Sequence, residues 1–311
     1  MLYQKDAPGD WGQVREAKGI TITNEHVVMA DDCKLFLRGW NTESADVLLI
    51  LHGLGGHGGW YIDMANELVS RGLTVYTIDH RGFGRSEGLA GHVNAYQTFV
   101  KDIAAVLTEI RKRHPDASIY LLGHSMGAIF ATYVAAAHQE ILAGVLYLNP
   151  WVEDSSPLPI GKTLAILVGG LFKSRRAWQI ANDQLGMTTN PEALEMLLAD
   201  IYWQRTQTAS FLVQILQMRL GILRQAKTIV LPVLVMQAEN DKAVLTSGSR
   251  KLYEALASSD KTWQTYPNYA HDSEFEADRT QMDNTIATWV RDRAASPVSH
   301  EAQESKMHGR S

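Results

Sequence analysis

Apolar positions along this chain follow two alternating rhythms. Residues 47–51 form a continuous apolar run, and mainly apolar runs recur at 73–78, 119–122, 144–148 and 231–237, each the length of a buried strand. Between them lie stretches with helical spacing. Residues 61–71 are closed by Gly72, and in 96–114 Phe99, Ile103, Val106 and Ile110 recur on one face. Residues 127–137 are small and apolar and predict a further helix. Ahead of the first run, 20–29 and 34–40 flank Asp31-Asp32 and predict a hairpin. Residues 246–257 (helix), 262–266 (strand) and 275–293 (helix) complete the pattern.

Strand alternating with helix implies βαβ units. The expected class is α/β, a mostly parallel sheet with helices on both faces. The rhythm stops between 150 and 228, where helical pattern continues with no strand. The expected organisation is therefore a core in two parts, 1–149 and 229–295, carrying a helical cap inserted at 150–228. Residues 1–19 read as a loose lead-in, and 296–311 as a disordered polar tail.

Composition narrows the function classes. The 311 residues carry a net charge of −5, which lacks the basic excess of a nucleic-acid-binding surface. A single cysteine, Cys33, excludes an internal disulfide and a cysteine-based metal site. Residues 1–19 are polar, without the apolar stretch of a signal peptide, and no run reaches the ~18 apolar residues of a membrane span. The expected location is the cytoplasm.

The chemistry centres on Gly123-His124-Ser125-Met126-Gly127, between an apolar strand and a small-residue helix. In that context G-x-S-x-G is a nucleophile turn: the serine is strained, and the glycines let strand and helix approach. A serine hydroxyl needs a base, and the base needs an acid to orient it, in chain order Ser, Asp or Glu, His. The strand at 231–237 runs into Glu239-Asn240-Asp241. Asp241 is the candidate acid, with Glu239, Glu153 and Asp154 as rivals. Of the histidines downstream, His300 and His308 fall in the polar tail, which leaves His271 as base. The oxyanion donors expected are the backbone N–H groups of Leu54, in the Gly-rich loop after 47–51, and of Met126. That loop lacks phosphate-binding and dinucleotide-binding spacing. His52, His57, His80 and His124 lie on separate stretches without ligand spacing, so neither a metal nor a cofactor is expected.

With these motifs in place the chain resembles the α/β-hydrolase superfamily, and within it the monoacylglycerol lipase and lysophospholipase group. The matching stretches are His52-Gly53-Leu54-Gly55-Gly56-His57 with Tyr61, residues 79–88 (DHRGFGRSEG), and the Ser125 pentapeptide. Glu276, five positions after His271, matches a glutamate of the group. The likeness spans roughly 25–290 and is weakest in the insertion. It implies Ser125, Asp241 and His271 as the triad and a lipid-like monoester as substrate. Trp60 stands where the group often has arginine, Ala238 replaces a common glycine, and Asp272-Ser273 replaces an apolar pair.

The insertion should act as a lid. Residues 160–172 are nearly all apolar and are followed by Lys173, Arg175, Arg176 and Trp178, a pattern that suits either a membrane surface or packing over the pocket. Asn190-Pro191-Glu192 starts a helix whose Leu194, Leu197, Leu198, Ile201 and Tyr202 form an apolar face. Leu198 and Ile201 are expected to line an acyl pocket. Phe211, Leu212, Ile215, Leu216 and Met218 extend it or build a cap core. Rival activities are a short-chain or aryl esterase, a thioesterase, or an aminopeptidase that would hold the substrate amine through Asp183, Glu192, Glu195 or Asp200. A non-catalytic ligand receptor is the reading outside enzymes.

Overall fold

The computed structural model of the chain describes residues 19–156, 158–179 and 186–294. The polar lead-in before Gly19, the tail after 294 and Asp183 lie outside these residues.

Eight strands form the main sheet: β1 (Thr21–Val28), β2 (Lys34–Asn41), β3 (Asp46–Leu51), β4 (Thr74–Ile78), β5 (Ser118–His124), β6 (Gly144–Leu148), β9 (Val233–Ala238) and β10 (Lys261–Tyr266). Their order is β1-β2-β4-β3-β5-β6-β9-β10. β1 and β2 pair antiparallel, as does β2 with β4, and every pairing from β4 to β10 is parallel.

The unbroken apolar strands are explained by their alternation. Val47, Leu49 and Leu51 of β3 enter one buried cluster, together with Phe99 and Ile103 of helix α2 (Gln97–Arg113) and Phe130 and Val134 of α3 (Met126–Ala137). Leu48 and Ile50 enter a second cluster on the opposite face, with Met64 and Leu68 of α1 (Ile62–Ser70) and Met282 and Ile286 of α8 (Thr280–Ala294). Each strand thus feeds two cores.

Between β6 and β9 lie α4 (Ile160–Leu171), β7 (Ala177–Gln179), α5 (Pro191–Ala199), β8 (Thr206–Thr208) and α6 (Ala209–Ala226). The expectation of no strand here is corrected: β7 and β8 pair antiparallel. At three residues each they are too short to impose a period of two on the sequence. α6 packs on α3 and on α7 (Thr246–Ala255), and its Phe211, Ile215, Met218 and Ile222 belong to the first core cluster. The last helix also starts later than its apolar spacing suggests. Ser273–Phe275 form a 3-10 turn, and α8 begins at Thr280.

Candidate active site

β5 runs to the carboxyl edge of the sheet, and Ser125 alone makes the turn into α3, with φ 53° and ψ −112°. A side-chain-bearing residue adopts that conformation only where its surroundings impose it. A Cβ on Gly127 would lie 2.2 Å from the Leu51 carbonyl oxygen, and one on Gly123 2.4 Å from the Gly127 carbonyl oxygen. Strand and helix therefore close to a separation that only glycine permits. Ser125 Oγ lies 2.9 Å from His271 Nε2, and His271 Nδ1 lies 2.7 Å from Asp241 Oδ2.

Asp241 sits in the loop after β9 and His271 in the loop after β10, so adjacent parallel strands deliver acid and base to one edge. Asp241 Oδ1 accepts from the N–H groups of Ala243 (2.8 Å) and Val244 (2.9 Å), which fixes the carboxylate. The carboxylate can only accept, so the proton belongs on Nδ1, and Nε2 is left to take the serine proton. Burial disfavours the imidazolium, but Asp241 outweighs it, assisted by Asp272 and Glu274, and the ring is pushed up to about 9. Burial also pushes the Asp241 carboxyl up, yet the His271 charge and its hydrogen bonds leave it below the usual carboxylate range. The rival acids are elsewhere. Glu239 is exposed, Glu153 meets Ser247 and Lys251, and Asp154 meets Trp151 and Arg219.

Met126 opens α3, so its N–H has no acceptor within the helix. Leu54 lines a cavity of about 650 Å³ whose floor includes Ser125 and His271. Its loop is pinned at both ends. His52 Nδ1–H donates to the Gly53 carbonyl (2.8 Å), while Nε2 accepts from His80 N (3.0 Å). Burial, the main cause, drives the His52 ring down to about 3, so it stays neutral. His57 Nδ1 accepts from Gly59 N (3.1 Å), and its Nε2–H donates to Asp200 Oδ2 (2.9 Å). Above the floor the cavity wall is mainly apolar, with Ile166 and Leu167 of α4 and Leu212, Val213, Ile215 and Leu216 of α6, interrupted by Asp154, Arg219 and Lys242.

Residues 42–278 match the family described as Serine aminopeptidase, S33 (Hydrolase_4). The chain belongs to this family. The monoglyceride lipase of Mus musculus is 29% identical over 279 residues, covering 87% of this chain and 91% of that protein. A monoacylglycerol lipase structure from Paleococcus ferrophilus superposes with a TM-score of 0.76 at 23% identity, covering 83% of this chain and 99% of that one. A soluble variant of the Saccharomyces cerevisiae monoglyceride lipase, solved with a substrate analog, gives 0.78 at 18% identity, covering 93% of this chain and all (100%) of that one. The fold is that of the α/β-hydrolases.

Behind the triad, this S33-family chain carries a buried polar layer. Asn149, at φ 45° after β6, donates Nδ2–H to the His271 carbonyl (2.5 Å) and to Ser273 Oγ (2.9 Å), and accepts from Ala238 N (2.7 Å). His124 Nε2–H donates to the same His271 carbonyl (3.0 Å), and its Nδ1 accepts from Tyr61 O–H (2.8 Å). Burial holds His124 at about 3, while it lifts the Asp272 carboxyl to about 7 and Glu274 well above the carboxylate range. Glu276 accepts from the N–H groups of Ala270 (3.0 Å) and Thr189 (2.9 Å), which fixes the histidine loop to the 150–228 segment.

Donor atoms of His124, His271 and Asp272 come within 4.8 Å of one another, the spacing a cation would need. Both ring nitrogens of each histidine are already engaged in the bonds above, so the cluster does not fit a metal. Of the carboxylates considered for an amine, Asp200 is buried among His57, Trp60 and the N–H of Tyr202, and Glu192 and Glu195 are exposed.

The expectation for Leu198 and Ile201 is corrected. They are 40% and 69% exposed and stand off the cavity wall. α5 ends at Ala199, and Asp200 turns extended at ψ 119°, so Ile201 no longer continues the helical face. Sequence reasoning also assigned no role to Asn149 and none to the Tyr61 hydroxyl. The signal for Asn149 was its place directly after a core strand, where sites of this fold collect.

Proposed function

We propose that this protein is a serine ester hydrolase for lipid monoesters. Ser125 acts as the nucleophile, His271 as general base and then general acid, and Asp241 as the group that holds the imidazole tautomer and stabilises its charge. One observation carries the reading: the Ser125–His271–Asp241 relay, with contacts of 2.9 and 2.7 Å, opens into a cavity whose wall is mainly apolar. Ser125 Oγ attacks the ester carbonyl as its proton passes to His271 Nε2. The N–H groups of Leu54 and Met126 receive the oxyanion. The imidazolium protonates the departing alcohol, and water then releases the acid by the same route. The names of the relatives agree with a monoglyceride as substrate.

Residues 150–228 serve as the cap, with α6 as the wall shared by cavity and core. The outward side of α4 exposes Ile160 (87%) and Phe172 (81%) beside Lys173, Arg175 and Arg176, and this side rests against a lipid surface. Among the described residues no helix is long and apolar enough to cross a membrane.

The test combines a fluorophosphonate probe with a panel of chromogenic esters differing in acyl length. Labelling at Ser125 is expected, with kcat/KM rising several-fold per two carbons and levelling off where the chain fills the cavity. Best activity on acetate, declining steadily with length, would overturn the lipid assignment. Hydrolysis of amino-acid arylamides in preference to esters would favour the peptidase chemistry of the family's description instead.

A further inference from the structure

On the ester-hydrolase reading, the acyl chain of the substrate lies along the cavity wall that α6 forms. Leu212, Leu216 and Arg219 succeed one another at helical spacing on α6, and all three line the cavity. An apolar face thus ends in a cation. The Arg219 side chain is only 15% exposed. Its guanidinium lies over the Trp151 indole, 4.6 Å from the ring centroid. Nη2 donates to Asp154 Oδ2 (2.8 Å) and to the Val152 carbonyl (3.2 Å). Nε is buried and meets no acceptor among the described residues.

Stacking fixes the guanidinium plane, and Asp154 takes one of its edges. Nη2 is taken and Nε is enclosed by the protein, which leaves Nη1, unpaired among the described residues and not buried, as the donor that this cavity-lining side chain offers. A wall meant for alkyl chains alone gains nothing from such a group. Trp151 is itself anchored beside the nucleophile, since its backbone N–H donates to the Ser125 carbonyl (3.2 Å) while its indole N–H donates to Asp154 Oδ1 (2.6 Å). The cation is therefore tied to the floor of the cavity.

We propose, resting on that same reading of the site, that Arg219, stacked on Trp151, forms a subsite for a hydrogen-bond-accepting oxygen on the acyl portion of the substrate, so that the preferred monoesters are those of oxygenated acyl chains. The oxygen can belong to a chain carbonyl or to a terminal carboxylate. Asp154 already balances the Arg219 charge, which favours the neutral oxygen.

The experiment compares kcat/KM for para-nitrophenyl octanoate, a set of para-nitrophenyl oxo-octanoates with the carbonyl walked along the chain, and para-nitrophenyl hemisuberate. Wild type, Arg219→Met and Arg219→Lys are each measured. In the wild type at least one oxo ester is expected to exceed octanoate by on the order of 10-fold, the size of one hydrogen bond to a charged donor. Arg219→Met should remove that ratio and Arg219→Lys should keep part of it. A hemisuberate that outperforms every oxo ester would identify the carboxylate as the source of the oxygen. If no oxygenated ester exceeds octanoate in the wild type, the inference is wrong whatever the variants do. It is equally wrong if the advantage survives Arg219→Met. Should octanoate itself resist hydrolysis and the fluorophosphonate leave Ser125 unlabelled, the parent reading has failed and the subsite falls with it.

Discussion

Replacing Asp200 by alanine should damage both stability and turnover. Asp200 Oδ2 accepts from His57 Nε2 (2.9 Å) and Trp60 Nε1 (2.7 Å), and Oδ1 accepts from the Tyr202 N–H (2.8 Å). Its side chain has no exposed surface, and that of His57 is 4% exposed. Alanine strands three donors at once. An unsatisfied buried donor costs about 1–3 kcal/mol, and water entering the vacated space relieves part of it, so the loss should fall at about 3–5 kcal/mol. Against a total of roughly 5–15 kcal/mol that is a large fraction. Asp200→Asn keeps one acceptor oxygen and should lose about half as much. The catalytic effect follows from what His57 holds. The Gly-rich loop is tied to the 200–204 segment by His57 and by the bond from Gln204 N to the Gly55 carbonyl (2.9 Å). On the proposed function Leu54 supplies an oxyanion donor from that loop, and its misalignment would cost up to about 10²-fold in kcat with little change in KM. Burial pushes the Asp200 carboxyl up, but the hydrogen bonds from His57, Trp60 and Tyr202 hold it below 3.8. Its stabilising contribution is therefore complete above the unfolded value and is lost as pH falls below 3.8 through the folded one. Urea unfolding followed by tryptophan fluorescence, with kinetics on one ester, measures both effects. A variant within about 1 kcal/mol of wild type and within about 2-fold in kcat would refute the coupling.

Ser125→Ala should lower kcat by on the order of 10⁶ while the thermal midpoint stays near that of wild type; substantial residual turnover would place the nucleophile elsewhere. Asp241→Asn should cost about 10⁴ in kcat because it favours the wrong imidazole tautomer, and Glu239→Gln should be mild, so the reverse pattern in a paired assay would reassign the acid. His271 must be neutral to accept the serine proton and its ring is raised, so the rate should fall on acidification with a midpoint above 6.5; Asp272→Asn should move that midpoint down, and a profile flat to about pH 5 would contradict both. Leu212→Ala with Leu216→Ala should flatten the rise of kcat/KM with acyl length, which the chromogenic ester panel reads directly.

The proposed triad residues were legible as neighbours because their logic is topological. Core strands end at the carboxyl edge, and Ser125, Asp241 and His271 follow β5, β9 and β10 in that order, although β10 is polar and only half-buried. The Gly-rich loop was legible for the same reason. What escaped depends on contacts between residues distant in sequence. Asp200 reads from sequence only as one of several carboxylates that could hold a substrate amine, and only the fold brings it to Trp60, 140 positions away. Leu198 and Ile201 fit a helical face on paper, but α5 turns Ala193 and Leu197 inward and Leu198 outward, and it stops at Ala199 before Ile201. β7 and β8 are held by pairing with each other, from Gln179 to Thr206 and from Ala177 to Thr208, and no local pattern records a partner that far along the chain. Asn149 carries its only signal in its place directly after β6; its three buried hydrogen bonds reach residues 89 to 124 positions away.

α6 has a further consequence. One side of this helix is locked into the packed interior through Met218 and Ile222, and the other is the cavity wall. Its backbone amides can lose protection only when the whole domain opens. α4 buries a single residue, Ile166, and can rise and settle in much smaller excursions. Traffic of chains into and out of the cavity is thus assigned to one side of it, with a hard wall that sets the shape and a soft wall that sets the rate.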